Sequence, residues 1–456
     1  MIIGDTFRKY MEEAIGRDNA LVAFSAFEQP ASVAIRQNPF KKCHDFEGEA
    51  VSWSKWGRLL GERPLFTLDP HFHAGAYYVQ DSSSMFVGEV FRHCLDGLTL
   101  PCSRPLRVLD LCAAPGGKTT DIAASLREKV GDNFILVANE VMKQRAGVLA
   151  SNVALWGDPN VVVTSDDPSA FAALGDFFDI IVADVPCSGE GMFRKDEYAQ
   201  EQWSENNVAL CEGRQRRIIA DVWPSLASGG VLVYSTCTFN RLENDGNVRW
   251  IAQELGAEVL CQEDAFKYEG VIKTELGYSL VPGFVKGEGQ YCSAVRKDGD
   301  FVVERNIKTV RSKVKSAPIP ERFKECFCVD VCLKQRGETV IAVPSGINDD
   351  VDFLCAHLHV LASGCAVGVV KGKDLVPDAD MALSIVLKED AYPSVEVDKQ
   401  IALAFLHRDA IVLNDAPKGF VLVKYEEVPL GFVKNLGNRC NNLHPQGRRI
   451  RMDIKE

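Results

Sequence analysis

The feature that most constrains the fold lies between residues 107 and 295, where short β-branched runs alternate with longer amphipathic stretches. This alternation is typical of a parallel α/β sheet, in which a covering helix follows each strand. The runs predict five buried strands, at 107–111, 134–138, 161–163, 180–183 and 230–234. Polar residues follow these strands directly, and open α/β sheets bind ligands at the carboxyl ends of their strands. We therefore expect an α/β domain over 104–298 with a ligand site along one edge.

The flanking parts of the chain predict further domains, because 456 residues exceed what one core of about 150 residues holds. Residues 1–103 mix aromatic patches with helix-like segments, which favours an α+β domain packed on the central one. The basic stretch 299–320 ends in two prolines and predicts a linker. Beyond it, short apolar runs broken by turns predict a small α/β domain over 321–383 and a small β-rich domain over 384–456.

The composition is that of a globular protein, with 46% hydrophobic and 25% charged residues. It excludes a disordered chain. No apolar run approaches the roughly 20 residues that span a bilayer, and the amino terminus has no basic-then-apolar signal. Fifteen dispersed cysteines argue against a disulfide framework. We expect a cytoplasmic protein with reduced thiols and no membrane partner.

A metal site is not predicted. The densest group of possible ligands is Cys326, Cys328 and Cys332, with His357 and His359 downstream. Their spacings match no common zinc module, and free cysteine is among the most buried residue types.

Local charge leaves room for a nucleic-acid partner, although the formal net charge is -12. Binding depends on the local potential rather than on the total charge. Residues 301–315 hold five basic side chains against one acidic, and residues 430–456 hold six against two. A solvated surface or a linker is the alternative reading of each stretch.

The loop after the first strand, 112–120, is small and glycine-rich, so backbone N–H groups there can approach a ligand closely. A phosphate P-loop is excluded, because it needs a glycine where Cys112 stands. The dinucleotide fingerprint is also missing, because Gly116 and Gly117 are adjacent. From this loop alone, a tight turn without a ligand remains possible.

Acidic residues after the next two strands favour a nucleoside ligand. Glu140 ends the second strand, where a carboxylate can accept both hydroxyls of a ribose. Asp167 follows the third strand and could accept from the amino group of an adenine. S-adenosylmethionine is an adenosine ligand without a pyrophosphate and fits this pattern. Each acid alone could be a surface or capping residue, so the joint placement is the argument.

The fourth and fifth strands end in loops that carry Asp184 and Cys187, and Cys237. Cytosine C5 accepts a methyl group only after a thiolate has added to C6. A carboxylic acid near N3 favours that addition, and a base must later remove the C5 proton. A buried structural role is the alternative for either cysteine alone. Two loop cysteines at neighbouring strand ends beside an aspartate favour catalysis.

Three motifs carry a family resemblance: LDLCAAPGGKTT (109–120), ADVPCSGEGMFRKD (183–196) and VYSTCTFNRLEND (233–245). At these residues the sequence resembles the Nol/Nop/Sun family of RNA cytosine-5 methyltransferases. The resemblance implies a Rossmann-like class I methyltransferase fold for 104–298. It also implies that Cys237 is the nucleophile and that Cys187 assists product release.

The same resemblance implies a set of cofactor-contacting positions. These positions are Cys112, Ala113, Ala114, Pro115, Gly116, Gly117, Lys118, Glu140, Asp167 and Asp184. The cofactor would be S-adenosyl-L-methionine. We expect Asn240, Glu243 and Asn244 of the third motif to be structural rather than catalytic.

The resemblance extends to both flanks. FTLDPHFHAGAYYVQDSSSM (66–85) looks like the family segment that precedes the methyltransferase domain and meets RNA. VPLGFVKNLGNRCNNLHPQGRR (428–449) looks like a PUA-type RNA-binding domain, as in bacterial enzymes that modify small-subunit ribosomal RNA. The tryptophan that family members often carry near 431–434 is absent here.

The expected function is methylation of cytosine C5 in RNA, with 16S ribosomal RNA as the favoured substrate and ribosomal RNA or the small subunit as the partner of a monomer. A DNA cytosine-5 methyltransferase is one alternative, but its nucleophile would lie in the PC motif and leave Cys237 idle. A transfer-RNA enzyme of the same family is closer. A non-catalytic assembly factor that binds RNA is a third alternative, which the intact Cys187 and Cys237 pair disfavours.

Overall fold

The computed structural model of the chain describes residues 4–261, 265–300, 319–372 and 374–454. Most of the predicted linker, including the basic side chains of 301–315, lies outside the described residues. Within those ranges the backbone forms four β-sheets. No helix in this part of the chain is long and apolar enough to cross a membrane.

The N-terminal segment combines a helical pair with a four-stranded sheet of order β2-β3-β1-β4. Its elements are α1 (Asp5–Ile15), α2 (Arg17–Ala26), β1 (Val33–Gln37), β2 (Glu49–Ala50), β3 (Gly57–Leu60), α3 (Pro70–His73), β4 (Tyr77–Val79) and α4 (Phe86–Asp96). Phe7 and Met11 lie one turn apart on the buried face of α1. They pack against Phe193 and Phe239 of the second and third motifs. The N-terminal helices therefore support the loops that carry the candidate site.

The central sheet contains the five predicted strands, and the α/β fold class is confirmed. They are β5 (Leu106–Asp110), β6 (Phe134–Asn139), β7 (Val161–Thr164), β8 (Phe178–Asp184) and β9 (Leu226–Thr236). All five are parallel, in the order β9-β8-β5-β6-β7. Their burial on both faces explains the unbroken β-branched runs of the sequence.

Helices cover this sheet, and an antiparallel extension follows β9. The helices are α5 (Gly117–Val130), α6 (Lys143–Trp156), α7 (Glu197–Gln202), α8 (Glu205–Val222) and α9 (Asp245–Glu254). The added strands are β10 (Ala257–Val259), β11 (Val271–Lys273), β12 (Tyr278–Leu280) and β13 (Gln290–Lys297). Because β13 runs antiparallel to β9, its first residues lie beside the carboxyl end of β9. That placement brings β13 into the candidate site.

The segment after the linker is tied to the central sheet through one strand. The small α/β domain expected over 321–383 stays a prediction. Its elements are β14 (Val331–Arg336), β15 (Thr339–Pro344), α10 (Asn348–His357), β16 (Val360–Ser363), β17 (Cys365–Lys371), β18 (Asp374–Pro377) and α11 (Ala379–Leu383). Strands β14, β15, β17 and β18 form their own sheet, but β16 pairs antiparallel with β7. The physical reason is that an uncovered β7 would expose unpaired backbone groups.

The last segment forms a four-stranded sheet of order β19-β20-β21-β22 with one helix on it. Its elements are β19 (Ser394–Glu396), α12 (Lys399–His407), β20 (Gly419–Tyr425), β21 (Val428–Asn435) and β22 (Cys440–Asn442). Phe405 of α12 is fully buried and packs with Val421 and Val433 of the sheet.

Candidate active site

The loop between β5 and α5 forms the floor of the candidate site. Gly116 has a φ of 113°, in the left-handed region that favours glycine, and α5 begins at the next residue. Arg36 of the N-terminal sheet is fully buried and donates to the Gly117 carbonyl at 3.0 Å. It also donates to Gln80 at 2.9 Å. The N-terminal segment therefore fixes the predicted cofactor loop from outside the α/β domain.

Asp110, the last residue of β5, lies buried beneath this loop. One of its carboxyl oxygens accepts from the Thr119 hydroxyl at 2.6 Å. Its other oxygen has no hydrogen-bond partner among the residues that the structure describes. Burial raises the pKa of Asp110 to about 7. An unpartnered polar atom thus lies next to the loop, where a polar ligand group would complement it.

Glu140 ends β6 and is almost completely buried. Its Oε1 accepts from the backbone N–H of Met142 at 2.9 Å, and its Oε2 lies 3.1 Å from Nη1 of Arg145. Arg145 also donates to the carbonyl of Ala114 at 2.9 Å. The guanidinium therefore joins the predicted ribose acceptor to the predicted cofactor loop.

Asp167 follows β7 but its side chain is exposed. Its Oδ1 accepts from the backbone N–H of Ser169 at 3.1 Å and from the Ser169 hydroxyl at 2.7 Å. These hydrogen bonds cap the short 3-10 helix Pro168–Leu174 and lower the pKa of Asp167. A role of Asp167 toward an adenine stays a prediction.

Lys118 and Asp184 form an ion pair that the sequence did not predict, with Nζ and Oδ2 2.8 Å apart. Burial alone would lower the pKa of Lys118, but the attraction to Asp184 outweighs it and the pKa is raised. For Asp184, burial acts to raise the pKa, while Lys118 and a 2.7 Å hydrogen bond from Ser235 lower it overall. Asp184 is thus a carboxylate rather than the carboxylic acid expected near N3.

Cys187 and Cys237 meet at the carboxyl ends of β8 and β9, with their sulfur atoms 3.0 Å apart. A disulfide bond would be about 2.05 Å long, so both residues are free. The pKa of Cys187 is raised well above its ordinary value, first by its hydrogen bond with Cys237 and then by burial. Cys187 therefore keeps its proton and can donate it toward the sulfur of Cys237.

The two cysteine loops are held together by the buried carboxyl group of Glu243, whose pKa is raised to about 7 by burial. It accepts from the backbone N–H of Ser188 at 3.0 Å and from the amide of Asn240 at 2.8 Å.

The N–H of Gly191 donates to the Cys237 carbonyl at 2.8 Å, and a Cβ at Gly191 would lie only 2.8 Å from that oxygen. These contacts agree with the structural role expected for Asn240 and Glu243. Asn244 has a similar role, accepting from the Thr236 hydroxyl at 2.6 Å.

Gln290 is a further site residue, which the sequence did not reveal. It begins β13 and donates to the Thr236 carbonyl at 2.9 Å and to Asp184 at 3.3 Å. The Oε1 atom of its side-chain amide accepts from the Ser84 hydroxyl at 3.1 Å. No local motif marks Gln290. Gln290 reaches the site because β13 pairs antiparallel with β9, with Tyr291 opposite Thr236.

Comparison with known proteins agrees with this geometry. Residues 98–296 match the family described as 16S rRNA methyltransferase RsmB/F. Residues 3–82 match the N-terminal domain of 16S rRNA methyltransferase RsmF, and residues 392–450 match the methyltransferase RsmF PUA domain.

Curated relatives match over nearly the whole chain. The ribosomal RNA small subunit methyltransferase F of Cronobacter sakazakii is 36% identical, over 97% of this chain and 94% of its own length. That of Escherichia coli O157:H7 is 32% identical, over 97% and 95%. Among solved structures, NSun6 from Pyrococcus horikoshii with SFG aligns at a TM-score of 0.53 and 20% identity, over 65% of this chain and 99% of that one. This last likeness concerns the fold alone.

The resemblance predicted from the three motifs is confirmed by these matches, as is the class of enzyme. The motif residues lie on one sheet edge, and the relatives cover both flanks as well as the centre. The chain therefore belongs to the RsmB/F family of 16S rRNA methyltransferases.

Proposed function

We propose that the protein transfers a methyl group from S-adenosylmethionine to C5 of a cytosine in 16S ribosomal RNA, through a covalent bond between Cys237 and C6 of the base. The observation that carries this proposal is the meeting of Cys187 and Cys237, 3.0 Å apart, at neighbouring strand ends. The Lys118–Asp184 ion pair lies beside them, at the end of β8 and the start of α5.

The residues present fit the proposed cofactor. The unpartnered oxygen of Asp110 and the buried carboxylate of Glu140 flank the loop 112–118 and can accept from amino and hydroxyl groups. Backbone N–H groups of the same loop can donate to a carboxylate. We propose that loop 112–118, Glu140, Asp167 and Asp184 hold the ligand. When bound, S-adenosylmethionine supplies an electrophilic methyl group.

Addition to the base begins at Cys237. Its thiolate would form the bond to C6, while the electron pair of the C5–C6 double bond moves toward C5 and N3 takes up a proton. Lys118 is a protonated ammonium within 2.8 Å of Asp184 and can supply that proton. Asp184, held as a carboxylate, can accept a hydrogen bond from the exocyclic amino group of cytosine.

Release of the product needs a proton acceptor, and we assign it to Cys187. Its pKa is raised mainly by the hydrogen bond with Cys237. Once the Cys237 sulfur is bonded to C6, this hydrogen bond no longer holds the proton on Cys187, while burial still raises its pKa. We propose that Cys187 gives its thiol proton to water at this stage. The resulting thiolate takes the C5 proton, the C5–C6 double bond returns, and the Cys237 thiolate leaves. The N3 proton goes back to Lys118.

The choice of 16S ribosomal RNA rests on the relatives. Proteins named ribosomal RNA small subunit methyltransferase F match the chain along 97% of its length, including the last sheet. Residues 392–450 match the PUA domain of RsmF, which favours RNA over DNA. We propose that the chain acts as a monomer in the cytoplasm, where ribosomal subunits are assembled.

The proposal is tested by transfer of a labelled methyl group to three substrates: naked 16S rRNA, small subunits that lack the modification, and bulk tRNA. Wild-type protein should label 16S rRNA, either as naked RNA or within the unmodified small subunit. Labelling of tRNA alone would overturn the choice of substrate, and labelling of none would overturn the enzyme assignment. Bisulfite sequencing then locates the methylated cytosine.

Two matched variants test the mechanism. Cys237→Ala should abolish transfer and form no covalent complex with RNA, because no adduct at C6 can arise. Cys187→Ala should add to the base but eliminate slowly, so an adduct that survives denaturing electrophoresis should accumulate. The reverse pattern, with the adduct in the Cys237 variant, would show that Cys187 is the nucleophile.

A further inference from the structure

Away from the cysteine loops, two histidines and an aspartate lie between the N-terminal sheet and the last sheet. His44 lies in the connection from β1 to β2, Asp69 caps α3, and His71 is the second residue of α3. Within the described residues, these three offer ligand atoms that lie within 4.8 Å of one another. The cysteine and histidine cluster between 326 and 359, considered above as a zinc site, does not form such a group there.

Two of the three separations among these side chains match a coordination sphere, and in the third Nε2 of His44 lies 3.9 Å from Oδ2 of Asp69. The Nδ1 atoms of His44 and His71 are 3.2 Å apart, and Nδ1 of His71 is 3.5 Å from Oδ1 of Asp69. Ligand atoms about 2.0–2.2 Å from a tetrahedral zinc ion lie roughly 3.3–3.6 Å from each other. Facing imidazole nitrogens repel unless a proton or a cation lies between them. Two imidazoles and a carboxylate are a donor set that suits zinc.

The surroundings orient these ligands. Asp69 accepts from the Tyr77 hydroxyl at 2.7 Å and from the backbone N–H of His71 at 3.0 Å, which fixes its carboxylate. The His71 ring is buried, and its Nε2 lies 3.6 Å from a carboxyl oxygen of Glu426. A histidine that binds a metal through one nitrogen commonly directs the other toward a carboxylate.

We propose that His44, Asp69 and His71 bind a zinc-like divalent cation that ties the N-terminal segment to the last sheet. Glu426 belongs to the turn between β20 and β21, and the His71 ring also meets the edge of the Tyr425 ring at 5.4 Å. The bound ion would therefore connect the loop before β2, helix α3 and the β20–β21 turn. We assign the ion a structural role, because the contacts of His71 lead to the β20–β21 turn.

The test uses Co²⁺ alone as a spectroscopic substitute for Zn²⁺ in chelator-treated full-length protein. One equivalent should give the visible bands of a tetrahedral site without a thiolate charge-transfer band in the near ultraviolet. His44→Ala should weaken binding by about 100-fold, and Glu426→Gln by about 10-fold, the usual effect of removing a carboxylate behind a ligand. His44 is exposed, so its replacement should leave the metal-free protein folded.

Controls make the outcome decisive. His357→Ala removes an exposed histidine that hydrogen-bonds to the Phe353 carbonyl in its own helix and should leave cobalt binding unchanged. Zn²⁺ should raise the melting temperature of wild-type protein and of His357→Ala but not of His44→Ala. Equal cobalt affinity in wild type and His44→Ala, or a thiolate band, would overturn the proposal. The three side chains would then share a proton rather than a metal ion.

Discussion

Asp110 keeps a titratable proton under the loop between β5 and α5, because burial raises the pKa of its carboxyl group to about 7. The unfolded chain releases that proton near the ordinary pKa of about 3.9. Between these values the folded protein binds one proton more than the unfolded chain. This group therefore lowers stability as pH rises from about 4 to 7, and the loss persists above pH 7.

Asp110→Asn should remove this dependence while keeping the hydrogen bond from Thr119. At pH 8 the cofactor-free variant should exceed wild type in free energy of unfolding by up to about 4 kcal/mol, from 1.36 kcal/mol per unit of pKa shift. Below pH 4 the two proteins should converge. Urea unfolding at pH 4, 6 and 8 checks this. If the free energies of unfolding of wild type and Asp110→Asn changed in parallel with pH, the pKa of Asp110 would not be raised in the folded protein.

Glu140→Ala should weaken binding of S-adenosylmethionine by about 1–3 kcal/mol, because the buried acceptor that we propose for the ribose is lost. Titration calorimetry on the folded variant measures the effect. Glu254→Ala, an exposed acid at the end of α9, is the control and should bind as wild type does. Unchanged affinity in Glu140→Ala would remove that residue from the cofactor site.

Individual site residues were predictable where a motif marks them, as for Cys187 and Cys237. The contacts that surround these residues were not predictable from the sequence. The pairing of Lys118 with Asp184 depends on how α5 is placed against β8, and the position of Gln290 depends on a strand more than fifty residues after Cys237. Such contacts follow from tertiary register, which one sequence does not display.

Among the elements, the buried ion pair of Arg107 in β5 with Asp350 in α10 links the central sheet to the segment after the linker. Their charged atoms are 2.6 Å apart, and both side chains are at most 5% exposed. Breaking a buried pair leaves an uncompensated charge, which costs about 3–5 kcal/mol.

Asp350→Ala should therefore destabilise the protein by about 3–5 kcal/mol, whereas the double variant Arg107→Met and Asp350→Leu should recover most of that loss. Asp352→Ala provides the control, because it breaks a partly exposed pair with Lys334 and should cost at most about 1 kcal/mol. Urea unfolding measures all three. If Asp350→Ala and Asp352→Ala cost the same, the buried pair does not hold α10 in place.

The parallel strands could be predicted because each is a continuous β-branched run bounded by polar residues. Strand β16 could not, since Val360–Ser363 has four residues and no periodic pattern. Its place depends on the free edge of β7, which is visible only in the folded sheet. The helices α1 and α2 likewise showed no sign in the sequence that they would meet Phe193 and Phe239.

At the scale of the whole molecule, the basic stretch 430–456 is only partly available to RNA. Arg448 forms an ion pair with Asp380 at 2.6 Å and contacts the Ser151 hydroxyl at 3.3 Å, so it is engaged within the protein. Lys434 and Arg439 are exposed on the last sheet. These two are the better candidates for phosphate contacts.

Reversing both Lys434 and Arg439 to Glu should weaken RNA binding and flatten its dependence on salt, because fewer counterions are released. The slope of log affinity against log salt should fall by about 1.4–1.8, or 0.7–0.9 for each lost phosphate contact. Lys129→Glu, at the carboxyl end of α5, should bind with the wild-type slope. An unchanged slope in the double variant would place the RNA elsewhere.

The pairing of β16 with β7 bears on how such genes can recombine. A crossover between relatives in the stretch 299–320 would exchange the last sheet together with the strand that closes the central sheet. In the hybrid, β7 would then have to pair with a β16 strand that comes from the other relative. A crossover after β18 would leave the edge strand with its own sheet. It would nevertheless divide a hydrophobic core that joins Val340 and Val367 to Leu422 and Phe432 of the last sheet. The two parts of the chain are therefore inherited best as one unit.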